Sequence, residues 1–376
     1  MKDIRELRDE LDIIDKEIVE LFEKRMAVSE EVADYKIANA KPVLDIEREQ
    51  SKIAKVGEMA SSDFNRIGIE ELFQQLMSMS RKLQYRKLTE KGVLGNLPFI
   101  RLDQLQLKNV RVVYQGVEGA YSEKAVKSFF GSDANSFHVE SFRDAMNMIA
   151  DGAADYAVLP IENSSAGIVT QNYDMLMEFE NYIVAEQIVR IEHCLLGLPE
   201  AEIEDIDSVY SHVQGLMQCG GFLEKHRKMT AYQAKNTAIA AKSVKEAGLL
   251  SQAAIASEEA AELYGLKILA RDIADNKENY TRFIIVSNQR VFQKDANKIS
   301  ICFQLPHRKG SLYRLMSHFI YNGLNMTKIE SRPIPERTWE YRFFVDFDGN
   351  LNDSAVKNAI RGIREEANNL RILGNY

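Results

Sequence analysis

The chain has few of the residues that crosslink or interrupt a fold: three cysteines and seven prolines in 376 residues. Cys194, Cys219 and Cys302 lie far apart, in neither a zinc-binding nor a redox spacing, so we expect buried, reduced thiols in a cytoplasmic protein. No run approaches the roughly 18 apolar residues of a membrane span. The start, MKDIRELRDE, has no apolar stretch of a secretion signal. These absences exclude a disulfide scaffold and predict no membrane partner.

Positive charge is also in short supply. The 48 lysines and arginines are outnumbered by 56 aspartates and glutamates, which leaves a net charge of -8. Phosphate binding needs clustered positive charge, so we expect no nucleic-acid partner. The 45% hydrophobic and 28% charged residues are typical of a folded soluble protein, and the length indicates two or three domains.

The first segment, residues 1–90, reads as helical, with no proline before Pro42. Apolar residues recur at steps of three and four along the first helix: Ile4, Leu7, Leu11, Ile14, Ile18, Leu21, Val28 and Val32. That helix is roughly 50 Å long at about 1.5 Å per residue. Two more helices follow, one capped by Asp45 and one over about residues 63–87. Three helices of such unequal length cannot cover this stripe, so we expect a homodimer or higher homo-oligomer.

Two further segments follow a predicted linker at 91–109, which contains Gly95 and Asn96. Over residues 110–290, short β-branched runs alternate with helical ones, which indicates a parallel α/β sheet. Nearly every strand ends near a Ser, Thr or Asn, and helix N-termini meeting at the carboxyl ends of strands make a carboxylate site. Residues 298–376 read as a βαββαβ unit of the ferredoxin-like kind.

Two positively charged residues interrupt the apolar stripe of the first helix. Arg25 projects from the middle of the stripe, and Lys36 lies within about 20° of it. Ser80 and Gln84 interrupt the stripe of the third helix in the same way. Buried cations without partners are costly, so an anionic ligand is expected. The alternative for each residue is a long side chain that reaches solvent from the edge of the stripe.

These residues belong to motifs that closely resemble the all-helical chorismate mutases: ELRDELDIIDKEI, EKR, DYK, KPVLDIEREQ and LFQQLMSMSRKLQ. The resemblance implies that Arg25 and Arg8, the latter from the other protomer, clamp the carboxylates of chorismate. It implies that Lys36 and Gln84 donate to the ether oxygen and that Glu49 holds the substrate hydroxyl. The remaining residues implied to line the pocket are Asp45, Arg48 and Ser80.

The α/β segment resembles prephenate dehydratase through GVEGAYSEKA, PIENSSAGIVTQNYDML, EHCLLGL, YSHVQGLMQC, NTA and ENYTRF. The resemblance implies two lobes similar to a periplasmic binding protein. It also makes Thr281, at the start of a strand, the donor to the departing hydroxyl of prephenate, with Arg282 orienting it or holding a carboxylate.

Other loop residues have a binding role or a capping role. The candidates for carboxylate binding are Tyr121, Ser122, Asn163, Ser164, Ser165, Asn236 and Thr237, and simple helix capping is the alternative for each. Glu162 is either a second acid or a solvated charge. His193 and His212 have no metal spacing and read as structural. We therefore expect no metal and no cofactor.

The tail resembles the amino-acid-binding ACT domain of this dehydratase through PHRKGSLYRLMSHF and NMTKIESRP. The resemblance implies L-phenylalanine as an allosteric inhibitor, bound at the turn Gly310, Ser311 and Leu312. The ESRP motif supplies Glu330, Ser331, Arg332 and Pro333. Ser311 departs from the common Gly-Ala-Leu form of this turn.

Three functions compete for the whole chain. The first is a bifunctional chorismate mutase and prephenate dehydratase that forms phenylpyruvate under feedback by phenylalanine. The second, a mutase fused to prephenate dehydrogenase, requires a G-x-G-x-x-G motif, which the chain lacks. The third, a solute-binding regulator dimerised by helices, explains an anion site but not the cations in the stripe or the Thr-Arg pair. The sequence favours the first.

Overall fold

The computed structural model describes residues 2–92, 97–334, 337 and 339–376. The chain forms two compact units. The first unit combines Met1–Pro98 with Asn297–Ile372, and the second combines Phe99–Ala296 with Leu373–Tyr376. The helical segment and most of the tail thus share one unit, although the sequence treats them as separate domains.

Three helices open the first unit, as the apolar spacing predicts: α1 (Ile4–Ala38), α2 (Ile46–Gly57) and α3 (Asp63–Glu90). Asp45 caps α2, because its side chain accepts a hydrogen bond from the backbone N of Arg48 at 3.1 Å. Ser62 caps α3 in the same way through the backbone N of Asn65. Both caps satisfy backbone donors that have no partner within the helix.

The apolar stripe of α1 is largely uncovered within the first unit. Leu11 is 57% exposed and Leu21 is 67% exposed, whereas Ser29 and Ala33 further along the helix are buried. Helix α1 packs on α3. An exposed apolar face of this length is a feature of helices that associate with another chain.

The second unit alternates strands and helices. Its strands are β1 (Ile100–Leu102), β2 (Arg111–Gln115), β3 (Asn135–Val139), β4 (Tyr156–Asn163), β5 (Gly167–Ile168), β6 (Tyr182–Arg190), β7 (Cys194–Gly197), β8 (Ser208–Ser211), β9 (Thr230–Gln233), β10 (Gln252–Ala256), β11 (Lys267–Ala270), β12 (Tyr280–Ser287) and β13 (Val291–Gln293). Its α-helices are α4 (Tyr121–Phe130), α5 (Phe142–Ala150), α6 (Thr170–Glu178), α7 (Val213–Gln218), α8 (Gly220–Lys225), α9 (Thr237–Ala247) and α10 (Glu258–Tyr264), and Ile203–Asp205 forms a 3-10 turn.

Two main sheets divide this unit into two lobes. One has the order β6-β12-β4-β2-β3, with β5 beside β4, and the other has the order β11-β7-β10-β8-β9. The chain crosses between the sheets twice, from β6 to β7 and from β11 to β12. The predicted two lobes are therefore present, and Thr281 lies just after the second crossing. The likeness to a periplasmic binding protein stays a prediction.

The prediction of a parallel sheet is wrong for several strands. Strand β12 runs antiparallel to β4 and β6, and β7 runs antiparallel to β10 and β11. The prediction is correct for two groups of strands. Strand β2 is parallel to β3 and β4, and strand β8 is parallel to β9 and β10. The two-residue strand β5 is also antiparallel, because the chain folds back directly onto β4. The other strands that depart from the prediction are at the two crossings, because a chain that returns from the other lobe enters the sheet in the reverse direction.

Part of the predicted linker at 91–109 is structured. Strand β1 pairs in parallel with β13, with Ile100 opposite Val291. Gly95 and Asn96, which indicated the linker, lie outside the described residues.

The tail has the predicted order of elements: β14 (Lys298–Gln304), α11 (Ser311–Tyr321), β15 (Met326–Pro333), β16 (Tyr341–Asp348), α12 (Ser354–Glu366) and β17 (Asn368–Asn375). The strand order β15-β16-β14-β17 is that of a ferredoxin-like sheet. Leu315 and Phe319 of α11 are buried, as are Ile360 and Ile363 of α12. Helix α12 also packs on α3 within the first unit.

No helix in the described parts of the chain is both long enough and apolar enough to cross a membrane.

Candidate active sites

The helices of the first unit enclose a cavity of about 490 Å³, here called the helical cavity. Seven of the eight residues predicted for the mutase site line it: Arg25, Lys36, Asp45, Arg48, Glu49, Ser80 and Gln84. The eighth, Arg8, is exposed on α1 and does not line the cavity of its own chain. It lies 17 residues before Arg25, which is roughly 25 Å along the axis at about 1.5 Å per residue.

The two cations of the stripe are held by backbone and hydroxyl oxygens. Arg25 Nη1 donates to the carbonyl of Leu76 at 2.9 Å and to the Ser80 hydroxyl. Lys36 Nζ donates to the carbonyl of Val43. These are neutral acceptors, so both cations keep their charge available to a ligand.

Burial is the main electrostatic influence on both cations. It lowers the pKa of Arg25, although the nearby carboxylate of Glu49 acts to raise it. It also lowers the pKa of Lys36, with Arg48 acting in the same direction and Asp45 among the carboxylates that oppose it. Positive charge that is partly stripped of water and faces a cavity is suited to binding an anion.

Gln84 is buried, and its Oε1 has no hydrogen-bond partner among the residues that the structure describes. A buried amide without a full set of partners is uncommon and marks a position where a ligand can complete the hydrogen bonding. Gln84 therefore joins Lys36 as a polar group available to a molecule in the helical cavity.

Arg81 is a charged residue of this cavity that the sequence analysis missed. Its Nη1 donates to Glu49 Oε2, and its Nη2 donates to Glu366 Oε1 at 2.8 Å. Burial by itself would lower the pKa of Arg81, but Glu49 and Glu366 raise it above its usual value. Arg81 follows Ser80 directly in the motif MSMSRKLQ, which was the one available signal.

The second unit has a cleft of about 610 Å³, here called the α/β cleft. Six of the predicted residues line it: Tyr121, Ser122, Asn163, Asn236, Thr237 and Thr281. Helices α4, α6 and α9 begin at lining residues, namely Tyr121, Thr170 and Thr237. Three helix N-termini bring unpaired backbone N–H groups and positive partial charge to one cleft, which favours carboxylates.

Thr281 is 8% exposed and bonds Asn163, the residue opposite it on β4. Asn163 Nδ2 donates to Thr281 Oγ1 at 2.9 Å. The orientation of the amide is fixed, because Asn163 Oδ1 accepts from the backbone N of Ser165 at 2.9 Å and of Ala166 at 2.7 Å. The same Nδ2 lies 2.8 Å from Asn279 Oδ1 and 3.2 Å from the Tyr280 carbonyl, so three acceptors share its two N–H groups. An amide nitrogen cannot accept a hydrogen bond, so the contact with Asn163 does not use the Thr281 proton.

Ser164 and Ser165 do not line the cleft, contrary to the prediction. Ser164 Oγ donates to the carbonyl of Glu278 at 3.0 Å and accepts from the backbone N of Tyr280 at 2.9 Å. Ser165 Oγ accepts from Asn276 Nδ2 at 3.3 Å. The two serines hold the loop before β12 instead of presenting hydroxyls to a ligand.

Arg282 and Glu162 do not line the cleft either. Arg282 lies next to Thr281 on a strand, so the two side chains point to opposite faces of the sheet. Arg282 Nε donates to Glu186 Oε2 at 2.7 Å, and Nη2 donates to the Tyr376 hydroxyl at 2.7 Å. Glu162 lies 3.9 Å from Arg282 Nη1 and so shares this ionic cluster.

Asn236 and His212 act as helix caps. For Asn236 this is the predicted alternative to ligand binding, and for His212 it is a structural role. Asn236 Oδ1 accepts from the backbone N of Ile239 at 2.7 Å and caps α9. His212 Nδ1 accepts from the backbone N of Gln214 at 3.3 Å and caps α7. Both residues also line the cleft, so capping places their remaining atoms beside a ligand.

His193 is buried at the wall of the same cleft. Its Nε2 lies 2.9 Å from Gln218 Oε1, and its Nδ1 lies 3.2 Å from the Tyr121 hydroxyl. Burial lowers the pKa of His193, with Gln218 acting in the opposite direction. The Tyr121 hydroxyl donates to the carbonyl of Glu192 at 2.8 Å, and this bond together with the contact to His193 Nδ1 fixes the Tyr121 side chain at the start of α4.

The tail contains a third cavity of about 450 Å³, here called the tail cavity. Among its lining residues are Ser311 and Leu312 of the predicted turn, together with Leu305, Pro306, Trp339 and Phe343. Gly310 has φ of 73° and begins α11, a conformation that favours glycine. Glu330, Ser331, Arg332 and Pro333 lie on β15 and do not line this cavity.

A cation-lined helical cavity and a hydroxyl- and amide-lined cleft in one chain define an enzyme with two active sites for small acidic substrates. Residues 7–85 match the family model of chorismate mutase type II, and residues 112–291 match that of prephenate dehydratase. The chain belongs to the bifunctional chorismate mutase/prephenate dehydratase family. It is 30% identical to such an enzyme of Aquifex aeolicus, over 100% of this chain and 98% of the relative. It is 29% identical to that of Escherichia coli K12, over 98% and 95%.

Several solved structures each match about 70% of this chain. A prephenate dehydratase of Arthrobacter aurescens in complex with L-Phe is 31% identical, with a TM-score of 0.66, over 71% of this chain and 89% of that one. The prephenate dehydratase of Staphylococcus aureus Mu50 is 25% identical, with a TM-score of 0.63, over 71% and 99%. GqqA, described as a quorum quenching acylase, is 30% identical, with a TM-score of 0.65, over 70% and 96%.

Proposed function

We propose that the helical cavity converts chorismate to prephenate with the residues that converge there. Arg25 clamps a carboxylate, Lys36 and Gln84 donate to the ether oxygen, and Glu49 holds the substrate hydroxyl. Asp45, Arg48 and Ser80 complete the wall. The observation that carries this proposal is the convergence of seven predicted residues on one cavity, including two half-buried cations with neutral partners.

The chemistry needs no more than these groups. The rearrangement is pericyclic: the ether C–O bond breaks as a C–C bond forms, with no nucleophile, proton donor or cofactor. The protein accelerates it by holding the reactive conformer and by stabilising negative charge that develops on the ether oxygen. Cations and hydrogen-bond donors in a partly dry cavity do both.

The mutase site is completed by a second copy of the chain in this proposal. The uncovered apolar stripe of α1 supports a homodimer, because its exposed residues run along the same helix that carries Arg8 and Arg25. A partner α1 packed on the stripe would bring its Arg8 to the helical cavity of the first chain. Arg8 cannot line that cavity within its own chain.

The α/β cleft forms phenylpyruvate from prephenate in the second half of the proposal. The bond from the ring to its carboxylate breaks and releases carbon dioxide, its electron pair enters the ring, and the C–O bond of the ring hydroxyl breaks. The Thr281 hydroxyl donates a hydrogen bond to the departing oxygen, which leaves as hydroxide and is protonated to water. A weak acid is sufficient because aromatisation drives the step.

The bond from Asn163 to Thr281 carries this assignment. It occupies the threonine oxygen as an acceptor and leaves the proton for the substrate. The N-termini of α4, α6 and α9, with Ser122 and Thr237, supply donors for the substrate carboxylates. The test of both halves is turnover of chorismate to phenylpyruvate, followed by ultraviolet absorbance, in the absence of any nucleotide.

Acyl hydrolysis, the activity named for GqqA, is less well supported by this cleft. It requires a nucleophile activated by a base. His193 bonds Gln218 and Tyr121, and His212 bonds the backbone of Gln214. Within the described residues neither histidine bonds a serine or threonine hydroxyl, so the geometry favours the dehydratase.

The tail is proposed to be an ACT domain that binds L-phenylalanine and inhibits the dehydratase. The turn Gly310–Leu312 would contact the amino acid, and Glu330, Ser331, Arg332 and Pro333 would meet it across a subunit interface. The apolar and aromatic lining of the tail cavity supports this, as does the L-Phe complex of the Arthrobacter relative. Such inhibition requires phenylalanine to prefer one arrangement of the protein, typically by about 1–3 kcal/mol.

The cytoplasm is the proposed location. Its support is that Cys194, Cys219 and Cys302 are buried and unpaired, which suits a reducing compartment.

A further inference from the structure

Arg81 connects the mutase site to the tail within the first unit. Its guanidinium is 9% exposed and lies between two carboxylates, Glu49 of α2 and Glu366 at the end of α12. The two bonds use different nitrogens, Nη1 for Glu49 and Nη2 for Glu366. A planar guanidinium that bonds two carboxylates fixes the position of each relative to the other.

On the tail side, Glu366 lies beside a buried histidine. His318 of α11 lies with Nε2 3.3 Å from the same Glu366 oxygen. Burial alone would raise the pKa of Glu366, but His318 and Arg81 lower it to about 2, so the carboxylate is charged at neutral pH. Arg81 therefore has a permanent anionic partner in the tail that keeps its side chain extended.

Arg81 also borders a further cavity in the first unit, of about 500 Å³. Glu49, Arg81 and Glu366 line it, and so do Ser311 of the proposed phenylalanine-binding turn and Arg308 just before that turn. Glu49 and Arg81 thus border both this cavity and the helical cavity.

We propose that Arg81 is a positioning residue for the mutase: it holds the Glu49 carboxylate in place for the substrate hydroxyl, and Glu366 of the tail holds Arg81. The tail domain is then part of the mutase site as well as a regulatory attachment. The proposal rests on the proposed role of Glu49. A simple structural salt bridge between α3 and α12 is the competing explanation.

The physical reason is the surplus of cations around Glu49. Arg25, Lys36 and Arg48 share its cavity, and each attracts the carboxylate away from the substrate hydroxyl once Arg81 is gone. Misplacing a substrate-holding group by about 1 Å costs on the order of a hundredfold in rate. Arg81→Met should therefore lower mutase kcat/KM by about tenfold to a hundredfold.

The decisive measurement is a double-mutant cycle on the full-length chain. Mutase kcat and KM are measured for Arg81→Met, Glu49→Gln and the double variant, with dehydratase turnover of supplied prephenate and thermal unfolding recorded on the same samples. If Arg81 acts through Glu49, the double variant is no slower than Glu49→Gln alone. Glu366→Gln should also lower mutase turnover and should have little further effect in the Arg81→Met background.

Two further variants separate positioning from folding. Arg81→Lys keeps the charge but cannot bond both carboxylates, so it should fall between wild type and Arg81→Met. Arg361→Met removes another contact between α12 and α3, the 2.9 Å bond to Thr89 Oγ1, away from Glu49. It should leave mutase turnover near wild type. If Arg81→Met does not fold, Glu366→Gln and Arg81→Lys still decide the question.

The outcomes are distinct. The positioning role would be overturned if the losses of mutase kcat/KM from the two single substitutions multiply in the double variant. It would also be overturned if Arg81→Met, like Arg361→Met, leaves mutase turnover near wild type. A Glu49→Gln variant with wild-type mutase turnover would instead remove the proposed role of Glu49, and the inference with it. A large mutase loss that disappears in the Glu49→Gln background would establish the inference.

Discussion

Asn163 Nδ2 lies 2.9 Å from Thr281 Oγ1, across the antiparallel pair of β4 and β12. The backbone N–H groups of Ser165 and Ala166 bind the other end of the same amide, so its NH₂ group must face the threonine. In this contact the Thr281 oxygen can only accept, so its proton is not donated to Asn163. The proposed hydrogen bond to the substrate uses that proton.

The first prediction concerns this amide. Asn163→Asp replaces the donor with an acceptor, so the Thr281 proton turns toward the carboxylate and away from the substrate. Dehydratase kcat should fall by about 10²–10³, the range seen when one donor to a developing oxyanion is removed. Mutase turnover in the same chain is the internal control. Retention of the dehydratase rate would mean that the threonine donates by another geometry.

The second prediction concerns assembly. Arg8→Ala chains and Lys36→Ala chains should each lack mutase activity as homodimers. After mixing and free subunit exchange, half of the dimers are hybrids, and one of the two pockets in each hybrid has both cations. Mutase activity should therefore return to about a quarter of wild type. Confirmed exchange without any recovery would place Arg8 outside the site.

The third prediction is a pH dependence. Burial and Arg48 lower the pKa of Lys36, and its proposed stabilisation of the ether oxygen requires the protonated, charged amine. Mutase kcat/KM should therefore be maintained below this pKa and lost as the pH rises through it, at a lower pH than for an ordinary lysine. Lys36→Arg keeps its charge across this range and should lack that alkaline limb. An identical alkaline limb in both proteins would assign the titration to another group.

The fourth prediction uses the one tryptophan of the chain, Trp339, which lines the tail cavity and is 75% exposed. L-Phenylalanine should shift its fluorescence emission to shorter wavelength at the concentrations that inhibit the dehydratase, and L-alanine should not. Gly310→Val should weaken both effects by about tenfold or more, since the left-handed conformation at 73° disfavours a β-branched residue. Basal dehydration should persist.

Inhibition that survives in Gly310→Val without any change in fluorescence would place the phenylalanine site elsewhere. The α/β cleft would then be the first place to search, because it also offers groups for an amino acid carboxylate.

Much of the fold and of the mutase site follows from local sequence patterns. Helix periodicity and caps such as Asp45 depend on residues within one turn, so they can be read directly. The convergence of Arg25 and Lys36 follows from their shared face of α1. Strand direction is different: β12 is antiparallel because the chain returns from the other lobe, and no local pattern records that path.

The errors in the dehydratase site have separate physical causes. The alternation of side chains along a strand could have placed Arg282 on the face opposite Thr281. The role of Ser164 depends on backbone groups of Glu278 and Tyr280, more than a hundred residues later. The motif position beside Ser80 could have placed Arg81 at the mutase site, but its bond to the tail could not be read locally, because Glu366 is 285 positions away.

The central claim is that two separate sites act in succession, and one assay with two variants tests it. Arg25→Ala should fail on chorismate yet convert supplied prephenate to phenylpyruvate, whereas Thr281→Ala should convert chorismate only as far as prephenate. Thr281→Ser should keep appreciable dehydration because it retains the hydroxyl. The measurement is phenylpyruvate absorbance from chorismate after the two inactive variants are mixed. The account predicts that the mixture forms phenylpyruvate although neither variant does so alone, and loss of both activities in either folded variant would contradict it.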